Sequence, residues 1–190
     1  HLLPQLEASL RAELEAPTKL PAFFLFDIQD EQRAAMEKAL AGAGLSLESL
    51  SPLVRARISA VNGKAYERAV EGSSFKTREE EQESRFRNRG VNLSFREALR
   101  ESETIVSGVP FAPVWAEGMG IPEISVEMRF AERLGLRLGD ILKFDVQGVG
   151  LEGRIVNMRR VRWTSFQPNF FLLFQRGVLD QAPKTYLASL

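Results

Sequence analysis

Residues 163–174 read WTSFQPNFFLLF, and the way this stretch folds decides the architecture at the end of the chain. It holds one of the two tryptophans and four of the 13 phenylalanines, and Gln167, Pro168 and Asn169 interrupt it. It is far shorter than the ~20 apolar residues that cross a bilayer. Pro168 has no amide donor and marks a corner at which the chain enters a new strand, where Asn169 can hydrogen-bond the local backbone. The apolar run that follows predicts a strand buried on both faces, with Phe171 in the core.

The composition is that of a folded globular protein. The 190 residues are 44% hydrophobic and 26% charged, and 25 Lys and Arg balance 25 Asp and Glu at a pI near 6.9. This balance gives no global attraction to nucleic acid or to anionic lipid. Cysteine is absent, which excludes disulfides and thiolate metal sites.

The sequence has no apolar run long enough to cross a membrane. Its longest runs, residues 21–26 and 170–174, have the length of strands. The chain starts at His1 without an initiator methionine, and we therefore expect it to be a segment of a longer protein.

The first third of the chain predicts a short helix and then a strand, helix, strand unit. Leucines along residues 2–15 lie near one helical face. Residues 21–28, PAFFLFDI, predict a buried strand, and Asp30 can cap the helix after it. Residues 53–61, LVRARISAV, alternate between apolar and polar, which predicts a strand, and Asn62-Gly63 then favours a tight turn. The apolar stripe of the predicted helix consists of Met36, Ala39, Leu40 and Ala43.

The middle of the chain allows more than one interpretation. Residues 76–89, KTREEEQESRFRNR, form a charge run that favours a solvated helix or an excursion over a recognition helix. Residues 92–99, NLSFREAL, fit either a strand edge or a capped helix, because Ser94 and Glu97 have capping-box spacing. Both alternatives for this segment stay open.

The second half predicts one helix followed by strands. Residues 126–140 favour a helix that ends at Gly135 in the left-handed conformation, after which Gly139-Asp140 turns the chain into the next strand. Residues 141–163 predict a β-hairpin of two long strands, and residues 185–190 predict a last strand. The inward side chains of the helix are Met128, Ala131 and Leu134.

The glycines of GVGLEG, residues 148–153, match the pattern of a dinucleotide-binding loop. Such a loop must open a helix, whereas the residues after it are β-branched and alternating. We therefore predict that these glycines serve a hairpin turn and a β-bulge.

Few side chains suit catalysis, which leaves binding as the main alternative. The one histidine, His1, is terminal, and this argues against a histidine-dependent triad, zinc site or general base. A hydrolase has little support, because several carboxylates lie in the charge run. Arg160 and Arg162 share a strand face beside Trp163, an arrangement that can bind single-stranded nucleic acid. A solvated outer face is the preferred interpretation, and a soluble ligand- or nucleic-acid-binding module using this face is the alternative function.

Several stretches together resemble the extracytoplasmic (periplasmic) domain of an ABC transporter permease of the FtsX/MacB-like superfamily, in particular the YbbP type. The most specific part is residues 163–190, which is similar to the family pattern W-x-S-x-x-P-N-F-F, a Gly-Val-Leu turn and a final strand. Residues 131–140 match A-x-x-L-G-L-x-x-G-D, which MacB-like domains share more loosely. The resemblance also covers residues 2–14, 21–32, 53–63, 92–99 and 123–148. The motif residues, for which it implies a structural role, are Trp163, Ser165, Phe166, Pro168, Asn169, Phe170, Phe171, Gly139 and Asp140.

The resemblance implies an α+β fold with two subdomains. Residues 20–69 and 167–190 would build a porter-like α+β subdomain, and residues 70–166 an inserted β-rich subdomain of the sabre-like kind. Residues 1–19 would form a stalk helix that rises from an upstream transmembrane span. The charge run departs from the family pattern, so no role is carried over to it. With this division, we expect Trp163 and Phe166 to pack at the junction of the subdomains.

The function implied by the resemblance is that of a non-catalytic periplasmic domain in a bacterial inner-membrane transporter. A separate cytoplasmic ATPase subunit would hydrolyse ATP, and the domain would pass the motion by mechanotransmission to a substrate or partner on the outer side, lipid-related for the YbbP type. The implied partners are the permease's transmembrane helices, the ATPase through the full-length protein, and a periplasmic protein or a hydrophobic substrate, with no nucleic acid. We expect no cofactor, no metal and no ATP in this domain.

Overall fold

The computed structural model describes residues 24–66, 90–163 and 167–190, in which strands alternate with two α-helices. The α+β class predicted from the sequence is thereby confirmed. In chain order the elements are β1 (Phe24–Ile28), a 3-10 turn (Asp30–Gln32), α1 (Arg33–Gly42), β2 (Ser49–Val61), β3 (Lys64–Ala65), β4 (Val91–Phe95), β5 (Glu103–Gly108), β6 (Glu123–Glu127), α2 (Met128–Leu134), β7 (Ile141–Val146), β8 (Val149–Val161), β9 (Leu172–Phe174) and β10 (Thr185–Ser189).

The long strand β2 belongs to two sheets. Its residues 49–53 pair with β10, which pairs in turn with β1, so β1-β10-β2 is a small antiparallel sheet. Its residues 54–61 pair with β4 on one side and β7 on the other. From there the described strands close into a barrel in the order β2-β4-β9-β6-β8-β7 and back to β2. The first two strands and the last strand therefore share one small sheet.

The main hydrophobic core fills this ring. It is built from inward-facing residues of every barrel strand, and α2 adds Phe130 and Ala131 to it. A second, much smaller core lies between the small sheet and α1 and consists of Ile28, Tyr186 and Ala188 with partly buried neighbours. The buried residues of the main core are Val54, Ala56, Ile58, Leu93, Ile124, Val126, Phe130, Ala131, Leu136, Leu142, Phe144, Val146, Ile155, Leu172, Phe174 and Leu179.

A tight turn and a hairpin predicted from the sequence are confirmed. β2 alternates as expected between buried and exposed side chains, and it turns into β3 through Asn62 and Gly63, both of which have positive φ. β7 and β8 form the long hairpin around Gln147 and Gly148, whose φ angles are also positive. The predicted β-bulge among the glycines is wrong, because β7 and β8 pair without a register shift. The register shifts of β8 lie farther along, where it pairs with β5 and β6.

The first strand and helix are more exposed than their sequence predicts. Phe26 is 69% exposed, and it lies where the pairing of β1 with β10 shifts register, next to Asp27 with a φ of 57°. Asp30 is not the helix cap: it lies inside the 3-10 turn, where Gln29 and Gln32 form a reciprocal capping box. None of the residues of α1 is fully buried. In the predicted apolar stripe, Met36 packs partly against the small core.

Two further segments take the forms that the sequence allowed. Residues 91–95 form a strand, which decides between the two alternatives for NLSFREAL. α2 ends at Gly135 in the left-handed conformation, as predicted. Several predictions lie outside the described residues: the helix at residues 2–15 and stalk at 1–19, the charge run at 76–89, Ser165 and Phe166. The division into subdomains at 20–69, 70–166 and 167–190 stays a prediction.

Candidate functional site

An ion pair without solvent contact lies at the centre of the described chain. Arg159 on β8 and Glu103 at the start of β5 have no exposed side-chain surface, and Arg159 Nε donates to Glu103 Oε1 over 3.1 Å. The guanidinium also donates through Nη1 to the backbone oxygen of Ser125 at 2.7 Å, and through Nη2 to that of Phe170. Burial lowers the pKa of Arg159, and the adjacent Glu103 carboxylate counters that effect.

Two more arginines surround the same carboxylate. Arg96 places Nη1 at 3.1 Å from Glu103 Oε2, and the amide of Arg100 donates to that oxygen at 2.9 Å. Burial lowers the pKa of Arg96 to about 10, partly offset by Glu103, while Arg100 and Arg159 act in the same direction as burial. We call Arg96, Arg100, Glu103 and Arg159 the buried arginine cluster. The cluster contains three cationic side chains and one carboxylate.

The buried arginine cluster binds the backbone of residues 168–170, within the stretch WTSFQPNFFLLF. Arg100 Nη1 donates to the carbonyl oxygen of Pro168 at 2.9 Å, and its Nη2 donates to Ser51 Oγ on β2 at 2.7 Å. Arg159 reaches the carbonyl oxygen of Phe170. The corner at Pro168 is therefore fixed to β2, β5, β6 and β8 by charge-assisted hydrogen bonds, which are stronger than neutral ones.

Phe171 is exposed and packs on the outer side of the core residue Phe130, so the prediction of its burial is wrong. It is 44% exposed, stacks on Phe130 of α2 at a centroid distance of 5.1 Å, and meets Trp163 at 5.2 Å. β9 begins only at Leu172, and the Phe171 carbonyl oxygen accepts from the amide of Glu127 at 2.8 Å. The backbone of Phe171 is thus hydrogen-bonded to β6. The next residue, Leu172, lies in the main core.

The other motif residues fall into two places. Pro168 and Phe170 are buried and Asn169 is half-buried, next to the anchored corner. Gly139 and Asp140 lie about the turn into β7, where Gly139 has a φ of 86°. Asp140 Oδ2 accepts from the amide of Arg137, and its Oδ1 accepts from Asn62 Nδ2 at 2.9 Å. That these positions are structural family motifs stays a prediction.

Arg160, Arg162 and Trp163 are all exposed, Trp163 by 46%. β8 presents Arg160 outward and Arg159 inward, because side chains alternate across a strand. Trp163 also leans on Phe171, so part of its ring is occupied by that contact. Within residues 24–66, 90–163 and 167–190, no group of three or more His, Cys, Asp or Glu side chains could hold a metal ion.

A groove of about 610 Å³ lies between the small sheet and the barrel. Arg33 of α1 and Tyr186 of β10 line one side, with the Arg33 guanidinium 4.6 Å above the Tyr186 ring. Arg96 lines it from the segment after β4, and Arg176 and Lys184 line it from the segment between β9 and β10. The remaining lining residues are Asp30, Pro52, Phe95, Glu97 and Asp180.

Sequence reasoning missed the buried arginine cluster. One signal was available: alternation from Ile155 through Asn157 and Arg159 to Val161 places all four side chains on the inward face of β8. An arginine on an inward face requires a buried partner. That partner, Glu103, lies 56 positions away along the chain, so spacing could not indicate it.

Among the described residues, no helix is long and apolar enough to span a bilayer.

The chain is similar in sequence to a protein that is named as an ABC transporter permease. It is 31% identical over 179 residues to a protein named "Uncharacterized ABC transporter permease YbbP" from Escherichia coli (strain K12). The matched part is 94% of this chain and 20% of that relative, so the chain spans about a fifth of the relative's length. No protein-family model matches the chain. The match supports the part of the sequence prediction that concerns ABC permeases.

Proposed function

We propose that this chain is a non-catalytic extracytoplasmic domain of an ABC transporter permease of the FtsX/MacB-like type. It passes motion driven by a separate cytoplasmic ATPase subunit to a substrate or partner on the outer side of the inner membrane. The observation that carries the proposal is the 31% identity along 94% of the chain to an ABC transporter permease. The partners would be the transmembrane helices of the same permease, the ATPase, and a periplasmic protein or a hydrophobic, lipid-related substrate.

A domain that transmits motion must move as one body, and the fold supports this role. β2 runs without interruption through the small sheet and the barrel, so the two parts share a backbone. The buried arginine cluster fastens the corner at Pro168 to β2 as well, through Arg100 and Ser51. A displacement applied to the small sheet is therefore carried into the barrel along covalent bonds and buried hydrogen bonds.

The location can be tested by labelling a single cysteine in intact cells. The chain contains no cysteine, and Thr104 on β5 is exposed, so Thr104→Cys in a cysteine-free full-length permease gives one site in this domain. We expect a membrane-impermeant maleimide to label it in cells whose inner membrane is intact. Labelling that requires lysis of the inner membrane would contradict an extracytoplasmic location. A cysteine in the ATPase subunit is the matched control for membrane integrity.

The coupling can be tested by two distance measurements on the full-length permease with its ATPase. One pair of spin labels, at Thr104 and Lys64, lies within the domain, and a second pair joins Thr104 to a transmembrane helix. On ATP hydrolysis we expect the first distance to stay constant and the second to change. An ATPase subunit that cannot hydrolyse ATP should abolish the change. A second distance that stays constant with active ATPase would refute mechanotransmission through this domain.

A second candidate function is a soluble module that binds ligand or nucleic acid through Arg160, Arg162 and Trp163. The exposure of all three side chains on the same end of β8 favours it. Binding of a single-stranded oligonucleotide, measured by fluorescence anisotropy, should then weaken steeply with salt, since phosphate contacts release counterions. Trp163→Ala should weaken it further through lost stacking. Absence of binding at low salt would exclude this function.

A further inference from the structure

The groove between the small sheet and the barrel carries more positive charge than the proposed function uses. Four cationic side chains line it, Arg33, Arg96, Arg176 and Lys184, against three carboxylates. Arg33 pairs with Asp30 at 3.3 Å, and Arg176 pairs with Glu97 at 3.0 Å and with Asp180 at 3.4 Å. All three lining carboxylates are therefore engaged by two of the four cations.

Lys184 takes part in none of these ion pairs. Its Nζ donates to the backbone oxygens of Asp180 at 2.7 Å and Ala182 at 3.5 Å. Within the part of the chain that the structure describes, no carboxylate lies within ion-pair distance of it. The carboxylate of Asp180 is occupied by the amide of Gly177 and by Arg176. Among the described residues, Lys184 therefore lines the groove without an ion-pair partner.

Arg96 belongs to the buried arginine cluster and also lines this groove. Its partner Glu103 is shared with Arg159, and the amide of Arg100 also uses that carboxylate. Glu127 acts on Arg159 as well, but its carboxylate accepts from the amide of Phe130. The groove, the buried arginine cluster and Glu127 together contain five negative groups, which are the three lining carboxylates, Glu103 and Glu127. They contain six positive groups, which are the four lining cations, Arg100 and Arg159. Four of these six cations line the groove.

Donor groups are also available for an anion. Arg176 uses Nε and Nη1 for its carboxylates, and no acceptor among the described residues bonds its Nη2. Its side chain is 55% exposed. Arg176 Nη2 and the Lys184 ammonium group line the same groove, and guanidinium and ammonium donors both bind phosphate oxygens. The volume of about 610 Å³ falls in the range of small-ligand sites.

We propose that this groove binds a phosphate group through Lys184, Arg176 and Arg96. The phosphate can belong to a soluble phosphorylated compound or to a phospholipid headgroup, since both present the same oxygens. The site is independent of the transport role, because it rests on the charges and contacts of this chain alone.

The test is a calorimetric titration of the chain with inorganic phosphate, compared between two variants. Lys184→Gln should weaken phosphate binding about tenfold, as expected for the loss of one charge-assisted contact. Arg160→Gln removes an equal charge from the exposed face of β8, outside the groove lining, and should leave the affinity unchanged. Thermal unfolding establishes that each variant is folded, and Arg176→Gln replaces Lys184→Gln if the latter is not.

Vesicles distinguish the two sources of the phosphate. Sedimentation with vesicles of equal parts phosphatidylglycerol and phosphatidylcholine is measured for the same variants. Vesicle binding that Lys184→Gln weakens and Arg160→Gln does not, with no binding of inorganic phosphate, identifies a headgroup site. Phosphate binding with the same variant pattern and no vesicle binding identifies a soluble ligand. Absence of both, or equal loss in the two variants, overturns the proposal.

Discussion

Arg159 lies on the inward face of β8, where strand alternation normally places an apolar side chain. Its charge is held by Glu103 and by the backbone oxygens of Ser125 and Phe170. Arg159→Met would leave the Glu103 carboxylate buried with fewer donors, so we expect the free energy of unfolding to fall by about 3 kcal/mol or more. Urea denaturation followed by circular dichroism measures the loss.

The neighbouring residue provides a matched control for this prediction. Arg160→Met removes the same group from the outward face of the same strand, and it should change stability by less than about 0.5 kcal/mol. If the two variants unfold at the same urea concentration, the buried arginine cluster does not stabilise the fold in the way described.

Phe171 shows how one residue can be misassigned within a strand that is otherwise predicted correctly. Phe170, Leu172, Leu173 and Phe174 are buried, whereas Phe171 faces outward onto Phe130 and Trp163. Phe171→Ala should therefore cost only about 1 kcal/mol, which is the range of an exposed aromatic contact. Leu172→Ala, in the core, should cost about 3 kcal/mol. If equilibrium unfolding shows equal losses of free energy for the two variants, Phe171 contributes as much as a core residue.

At the scale of elements, the packing of β8 against β9 depends on a glycine. A Cβ atom on Gly153 would lie 2.8 Å from the side chains of both Ile124 and Phe174. Gly153→Ala should then destabilise the protein by roughly 1–3 kcal/mol through overpacking. Gly150, on the same strand, has only Lys143 Cε at 3.7 Å from such an atom, and Gly150→Ala should be neutral or slightly stabilising. Thermal unfolding of the two variants checks this, and a neutral Gly153→Ala would contradict the close approach.

The elements that the sequence predicts well are those whose signals are local. The β7–β8 hairpin follows from alternation and a glycine turn, and the end of α2 follows from Gly135. The exposure of Phe26 could not be read from FFLF, because the apolar run does not indicate the register shift between β1 and β10 at this residue. The partners in the buried arginine cluster could not be predicted from the sequence either, because β5, β8 and the corner at Pro168 lie far apart along the chain.

At the scale of the whole molecule, the two cores differ greatly in size. The small core has three fully buried residues, too few to hold a three-stranded sheet on its own. We expect Ile28→Ala to speed hydrogen exchange in β1 and β10 while leaving β8 protected. Leu172→Ala, in the barrel, should speed exchange in both regions. Mass spectrometry of the exchanged peptides measures this, and faster exchange of β8 in Ile28→Ala would show that the cores are equally essential.

The closed ring of strands was not predictable, because its joints connect distant residues. Ile58 pairs with Phe144, and Leu93 pairs with Leu172 in parallel. Parallel pairing of such distant segments leaves no turn signal between them. The family resemblance implied the α+β class and periodicity predicted individual helices and strands, whereas neither indicated that the strands close into a barrel.

The pairing of β1 with β10 has a practical consequence for protein engineering. Phe24 lies opposite Ser189, so the backbone enters and leaves this unit at points about 5 Å apart, the spacing of paired strands. A surface loop of another protein has ends at a similar separation, and insertions at such loops are well tolerated. We therefore expect residues 24–189 to tolerate insertion into a surface loop of an unrelated host.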